Sequence, residues 1–211
     1  MLACTAGRVF HDGLGELGRV REKIGYYPRE VWLYLLASQW QKVSQEEAFM
    51  GRCGDVGDEL GSRLIGARLV QHLMRLCFLM ERKYAPYAKW FGAAFSRLDC
   101  APALAPVFEK ALASSSWQER EAHLSEAYRV VAEKHNALGI TRPLETGVSK
   151  YHGRPYLVIH AERFVEEIRE AISDDEIKSI GPIIGSVNQF SDSTDLADDP
   201  ALCRKLKALY D

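Results

Sequence analysis

The stretch Asp55-Val-Gly-Asp-Glu-Leu-Gly-Ser-Arg63-Leu-Ile-Gly-Ala-Arg68-Leu-Val-Gln-His-Leu-Met-Arg75-Leu-Cys-Phe-Leu-Met-Glu-Arg82-Lys83 decides the fold. Leu64, Ile65, Leu69, Val70, Leu73, Met74, Leu76, Cys77, Phe78 and Met80 make it apolar around most of a helical circumference. Such a helix belongs in the middle of a core. Arg68, Arg75 and Arg82 recur at a spacing of seven. At about 3.6 residues per turn, this spacing predicts one cationic stripe with Gln71 and His72 beside it. Guanidiniums on a core helix need anionic partners, supplied by the protein or by a ligand.

The nearest source of carboxylates is the preceding helix, predicted over Val31 to Phe49 after Pro28. Trp32, Leu36, Val43 and Met50 share one face of it, flanked by Leu35 and Trp40, and Gln39, Glu46 and Glu47 project from that same apolar side. Carboxylates there are costly unless paired, so Glu46 and Glu47 are expected to meet Arg63, Arg68 and Arg75. Two readings stand. The charges form an internal ion-pair network joining the helices, or they line a cleft where Glu46 or Glu47 acts as base or cation ligand while the arginines hold an anion.

The remainder reads as further helices, giving a mainly α fold, a multi-helix bundle. A short helix is expected from Asp12 to Ile24, and glycines 51, 54 and 57 are expected to loosen the chain between the two long helices. Others are predicted over Tyr87–Leu98, Ala103–Ala113, Trp117–Leu138 and Ala161–Ile172, with a last short one ending near Tyr210. Ser116 with Glu119 forms a capping-box pattern, and Gly139 is the expected terminator. We assign residues 1–142 to the bundle and 143–211 to a C-terminal extension packed on it. Within the extension, Pro155 to His160 reads as a lone short strand or extended segment, whose backbone groups need partners. It either packs as irregular structure or borrows a partner from another chain or domain, with Tyr156 to Ile159 as the docking point.

Between helices, Glu81 to Phe91 interleaves cations with Tyr84, Tyr87, Trp90 and Phe91. Lys89 and Trp90 can meet a phosphate and a ring, although the same pattern serves as an aromatic anchor at a helix corner. The ligand-binding candidates are therefore Arg63, Arg68, His72, Arg75, Lys89 and Trp90. The acidic turn containing Asp192, Asp195, Asp198 and Asp199 is read as caps and Asx turns rather than as a cation site.

Composition narrows the function. The 211 residues carry a formal net charge of −2, which argues against a general nucleic-acid surface. Five scattered cysteines form no C-x-x-C pair and read as reduced thiols. No apolar run is long enough to cross a bilayer, and Met1 to Cys4 lacks the flanking regions of a cleavage signal, so a cytoplasmic location is expected. No phosphate loop, His-Glu-x-x-His or Asp-x-Asp metal pattern occurs, and no metal ligands are assigned. Arg129 and His135 fit the Arg-x4–6-His spacing of HEPN-type ribonucleases, which supplies an alternative enzymatic reading.

Longer motifs carry a resemblance. Phe10-His-Asp-Gly-Leu-Gly-Glu16, Gln45-Glu-Glu47, Gly57-Asp-Glu-Leu-Gly-Ser-Arg63, Tyr87-Ala-Lys-Trp90, Arg154-Pro155 and Gln189-Phe-Ser-Asp192 resemble a bacterial domain-of-unknown-function family. In that family the helical domain follows a nucleotidyltransferase fold of the kanamycin-nucleotidyltransferase type. The likeness runs from about Arg8 to the C-terminus. It implies an accessory domain that contributes substrate or partner contacts and is not catalytically complete alone, because the metal-binding Gly-Ser and Asp-x-Asp elements belong to the other domain. It also implies a nucleotidyltransferase-fold partner, with nucleotide and magnesium entering only through that partner, and leaves room for a small-molecule substrate.

Overall fold

In the computed structural model, which describes residues 2–210, two long helices joined by a tight turn form the spine. The short helices α1 (Leu2–Thr5) and α2 (Glu16–Lys23) precede it; α3 (Arg29–Asp55) and α4 (Glu59–Met80) make it. Then follow α5 (Ala88–Phe95), α6 (Ala101–Ala113), α7 (Trp117–Ala137), the two-residue strands β1 (Ser149–Lys150) and β2 (Leu157–Val158), and α8 (Glu162–Glu170). A C-terminal arm of short turns contains α9 (Asp175–Ser179), α10 (Val187–Phe190), α11 (Thr194–Asp198), α12 (Pro200–Lys205) and a 3-10 turn over Leu206–Leu209. No described helix is long and apolar enough to cross a membrane.

Helix α3 is the central rod. Every residue from Trp32 to Trp40 is buried, so α4, α7 and α8 must cover different sides of it. Trp40 stacks on Phe164 of α8 with ring centroids 4.1 Å apart, and His135 of α7 meets both rings edge-on. Such aromatic pairs contribute about 1 kcal/mol each beyond their area burial. Residues of the C-terminal extension, Ile159, Phe164, Val165 and Ile168, thus share one hydrophobic core with the long helices.

Sequence and structure differ at the junction of α3 and α4. Gly51 and Gly54 do not loosen the chain; α3 runs through both. A Cβ on Gly51 would lie 2.4 Å from Tyr156 Cβ, and one on Gly54 would lie 2.1 Å from Trp117 Cγ. The glycines are sites of close approach, where β2 and α7 pack against the α3 backbone. The chain turns only at residues 56–58, and Asp58 caps α4 by accepting from Gly61 N at 2.8 Å.

Helix α4 ends at Met80, before the third arginine of the stripe. Lys83 N donates to Phe78 O and Arg82 N to Leu79 O, a Schellman closure that puts Arg82 in the left-handed region at φ 52°. Its guanidinium then lies 4.4 Å above the Trp32 ring instead of continuing the stripe. The α7 boundaries follow the sequence closely. Ser116 accepts from Glu119 N at 3.3 Å, and Gly139 follows the helix at φ 61°.

The lone strand finds its partner within the chain. β1 and β2 pair antiparallel, with Ser149 opposite Val158. Side-chain carboxylates complete the pairing: Leu157 N donates to Glu121 at 2.6 Å, and Ile159, His160 and Ala161 donate to Glu47. With Tyr156, Val158 and Ile159 buried, this segment offers no free edge for another chain.

Candidate functional site

The antiparallel α3–α4 hairpin sets the geometry of the polar seam. Gln39, Lys42 and Glu46 recur at three and four residues along α3; Arg68, His72 and Arg75 do so along α4. Gln39 Nε2 lies 3.3 Å from both His72 Nδ1 and the His72 carbonyl oxygen, while Glu46 pairs with Arg68. His72 Nε2 sits 3.6 Å from Glu46 Oε2, and both atoms are buried without a hydrogen-bond partner.

Glu46 and Glu47, adjacent in sequence, part company here. Neighbouring helical positions point about 100° apart, so Glu46 faces α4 while Glu47 turns to the β2–α8 junction. Glu47 is 4% exposed and pairs with no arginine among the described residues. Its oxygens accept from Ile159 N at 2.8 Å, His160 N at 3.1 Å and Ala161 N at 2.9 Å. Burial raises its pKa to about 7 despite the three N–H donors. The expected Glu47–arginine pairing is therefore replaced by a carboxylate that organises backbone, with no ligand-facing oxygen.

Arg68 and Arg75 look into different spaces. Arg68, its side chain 58% exposed, borders a shallow groove of about 720 Å³ beside Leu64, Met74 and Leu112. Arg75, only 17% exposed, opens into a groove of about 630 Å³ between the hairpin, the α5 region and the C-terminal arm. Gln39, Tyr87, Trp90, Gln189 and Asp192 share that second groove with it. Burial lowers the Arg75 pKa, and the Asp192 carboxylate 3.6 Å away opposes the shift. Lys42 is half-buried; desolvation lowers its pKa, partly opposed by Glu46. Among the described residues it makes neither hydrogen bond nor ion pair.

Of the six ligand-binding candidates, Arg75 and Trp90 line the 630 Å³ groove and Arg68 the other. His72 belongs to the seam between them. Arg63 donates to Ser115 O at 3.3 Å, and Lys89 lies 5.2 Å over the Trp90 ring on the exposed surface. The arm is fastened across the seam by Gln189, which donates to Leu35 O at 3.0 Å and Gln39 Oε1 at 3.1 Å. Lys42, Gln39 and Gln189 were not singled out as ligand contacts; the three-and-four spacing of Lys42 with Gln39 and Glu46 carried that signal for Lys42. Arg120, 1% exposed, was also passed over. It bonds Ser62 Oγ at 2.6 Å and Ser114 O at 3.1 Å, tying α4, α6 and α7 together.

The ribonuclease geometry is absent. His135 is fully buried, and burial lowers its pKa to about 4. Arg129 is exposed and pairs with Glu133 on its own helix. Six helical steps place Arg129 and His135 on different faces. In the acidic turn, Ser193 accepts from Leu196 N, and Asp199 accepts from Ala201 N and Leu202 N, as caps do. Among the described residues, no three His, Cys, Asp or Glu side chains are grouped to hold a metal ion.

Fold and site together define a helical bundle with a cationic, aromatic-walled groove closed on one side by its own C-terminal arm. Residues 1–91 match a family described only as a domain of unknown function, DUF4037. That match covers α1 to α4, the seam and Trp90, and stops before α6, α7 and the arm; it brings no nucleotidyltransferase association. No curated protein and no solved structure matches the chain.

Proposed function

We propose that this chain is an accessory helical domain that holds a small-molecule substrate in the groove beside Arg75 and completes the site of a nucleotidyltransferase-fold partner. One observation supports the binding role above the others: Arg75 is a largely buried guanidinium on a groove wall, with no hydrogen bond among the described residues. A structural charge network would leave no such cation, because its donors would be taken by Glu46 or Glu47. The motif resemblance supports the accessory role. On the same resemblance, nucleotide and magnesium would reach the assembly through the partner.

The test is incubation of the purified chain with ATP, magnesium and candidate acceptors, alone and with a co-expressed nucleotidyltransferase-fold protein. Transfer is expected only in the mixture. Robust transfer by the single chain overturns the accessory role.

A further inference from the structure

The chemistry of the groove narrows its ligand. Arg75 offers five N–H donors in a planar fork. Among the described residues its anionic contact is Asp192 at 3.6 Å, longer than a hydrogen bond. The Phe91 ring centroid lies 5.3 Å from Cζ, and the Lys42 ammonium interacts electrostatically with both Arg75 and Asp192. The two partners are unequally placed: the arginine side chain is 17% exposed and the aspartate 80%. A desolvated guanidinium is thus served by a single, distant, water-exposed carboxylate, and a closer oxyanion would satisfy it better. Nearby on the groove wall stand two large rings that the core does not use, Tyr87 at 57% and Trp90 at 52% exposure. An exposed indole and an exposed phenol on one groove wall offer faces on which a flat group can stack, with Lys89 5.2 Å from the Trp90 ring centroid.

Asp192 sits on the arm rather than on the bundle. None of α9 to α12 contains a buried residue. At the groove, the arm is held through Gln189 and through Gly185 N donating to the Tyr34 hydroxyl at 3.4 Å. The arm touches the core through Ile177, Ile180, Ile183 and Tyr210, whereas the Asp192 side chain is 80% exposed and can leave Arg75 without displacing them.

Resting on the groove reading above, we infer that the ligand is a small planar aromatic molecule bearing one phosphate or carboxylate, whose anion takes Arg75 in place of Asp192 while its ring lies against Tyr87 and Trp90. Asp192 is then a resident substitute for the ligand's anion, and it sets the affinity threshold by competing for the same fork.

The experiment uses the full chain and three probes: phenyl phosphate, benzoate and inorganic phosphate. Affinity is read by calorimetry, and groove occupation by the Trp90 indole N–H resonance. The inference predicts that a ring-bearing anion binds at least tenfold tighter than inorganic phosphate; comparison of phenyl phosphate with benzoate tells which anion is preferred. Arg75→Gln should weaken that binding at least tenfold, and Asp192→Asn should tighten it severalfold. Asp192 lies on the exposed arm, so its variant reports even if Arg75→Gln folds poorly. Unchanged or weaker binding in Asp192→Asn overturns the inference. So does a Trp90 shift that survives intact in Arg75→Gln, although that result leaves the groove reading standing. If no probe moves the Trp90 resonance in the wild type, both readings fall.

Discussion

Replacing Glu47 with Gln should change how stability depends on pH as well as how large it is. The glutamine retains one acceptor oxygen but presents an amide donor to at least one of the N–H groups of Ile159, His160 and Ala161. The loss of charge-assisted bonds in a buried site costs about 2–4 kcal/mol. In the wild type, the Glu47 pKa of about 7 stands above its ordinary 4.5, so the native state takes up a proton before the unfolded chain does. Stability from this group is full below the unfolded pKa and declines as pH rises through about 7. His135 works in the opposite sense: its pKa of about 4 lies below the ordinary 6.5, so the unfolded chain protonates first and stability falls on acidification. Between about pH 7.5 and pH 5 each contribution amounts to about 2 kcal/mol, and the two nearly cancel. Urea denaturation should therefore show Glu47→Gln losing about 2 kcal/mol more stability on acidification across this range than the wild type does, the His135 effect unmasked. A variant whose pH dependence matches that of the wild type refutes the raised pKa of Glu47.

Four further outcomes follow from packing, from an ion pair and from the arm. Gly54→Ala puts a Cβ against the Trp117 ring and should destabilise by about 1–3 kcal/mol in a thermal melt, since Trp117 cannot retreat without moving α7. Arg120→Ala leaves Ser62 and the Ser114 carbonyl unpaired in the interior and should cost about 3–5 kcal/mol in the same assay. Arg68→Ala removes the partner of Glu46, whose side chain is 12% exposed, and should cost about 1–2 kcal/mol. Gln189→Ala removes the arm's bonds to Leu35 and Gln39; hydrogen exchange of residues 186–198 should then rise while α3 and α4 keep their protection.

The helical class was legible because periodicity and caps are local. Ser116 and Gly139 mark helix ends through interactions within a few residues. The seam was legible in part, since the wheel correctly turned Glu46 toward Arg68. It failed for Glu47 because a wheel gives direction and not the identity of what covers that direction; the covering backbone lies more than a hundred residues away. Arg82 misled for a related reason, as a spacing of seven carries meaning only while the helix lasts. Gly51 and Gly54 were read for flexibility, when their lack of a side chain serves the approach of Tyr156 and Trp117. The role of Asp192 depends on the path of an arm with almost no periodicity of its own, which sequence pattern does not trace.

The most direct measurement is arginine side-chain NMR of the full chain, following the Arg75 Nε–H resonance as phenyl phosphate is added. The groove account predicts a saturable shift of that resonance together with Trp90 and the Asp192 carboxylate, with Arg68 and Arg63 unmoved. Saturable binding that shifts Arg68 or Arg63 and leaves Arg75 in place would contradict it.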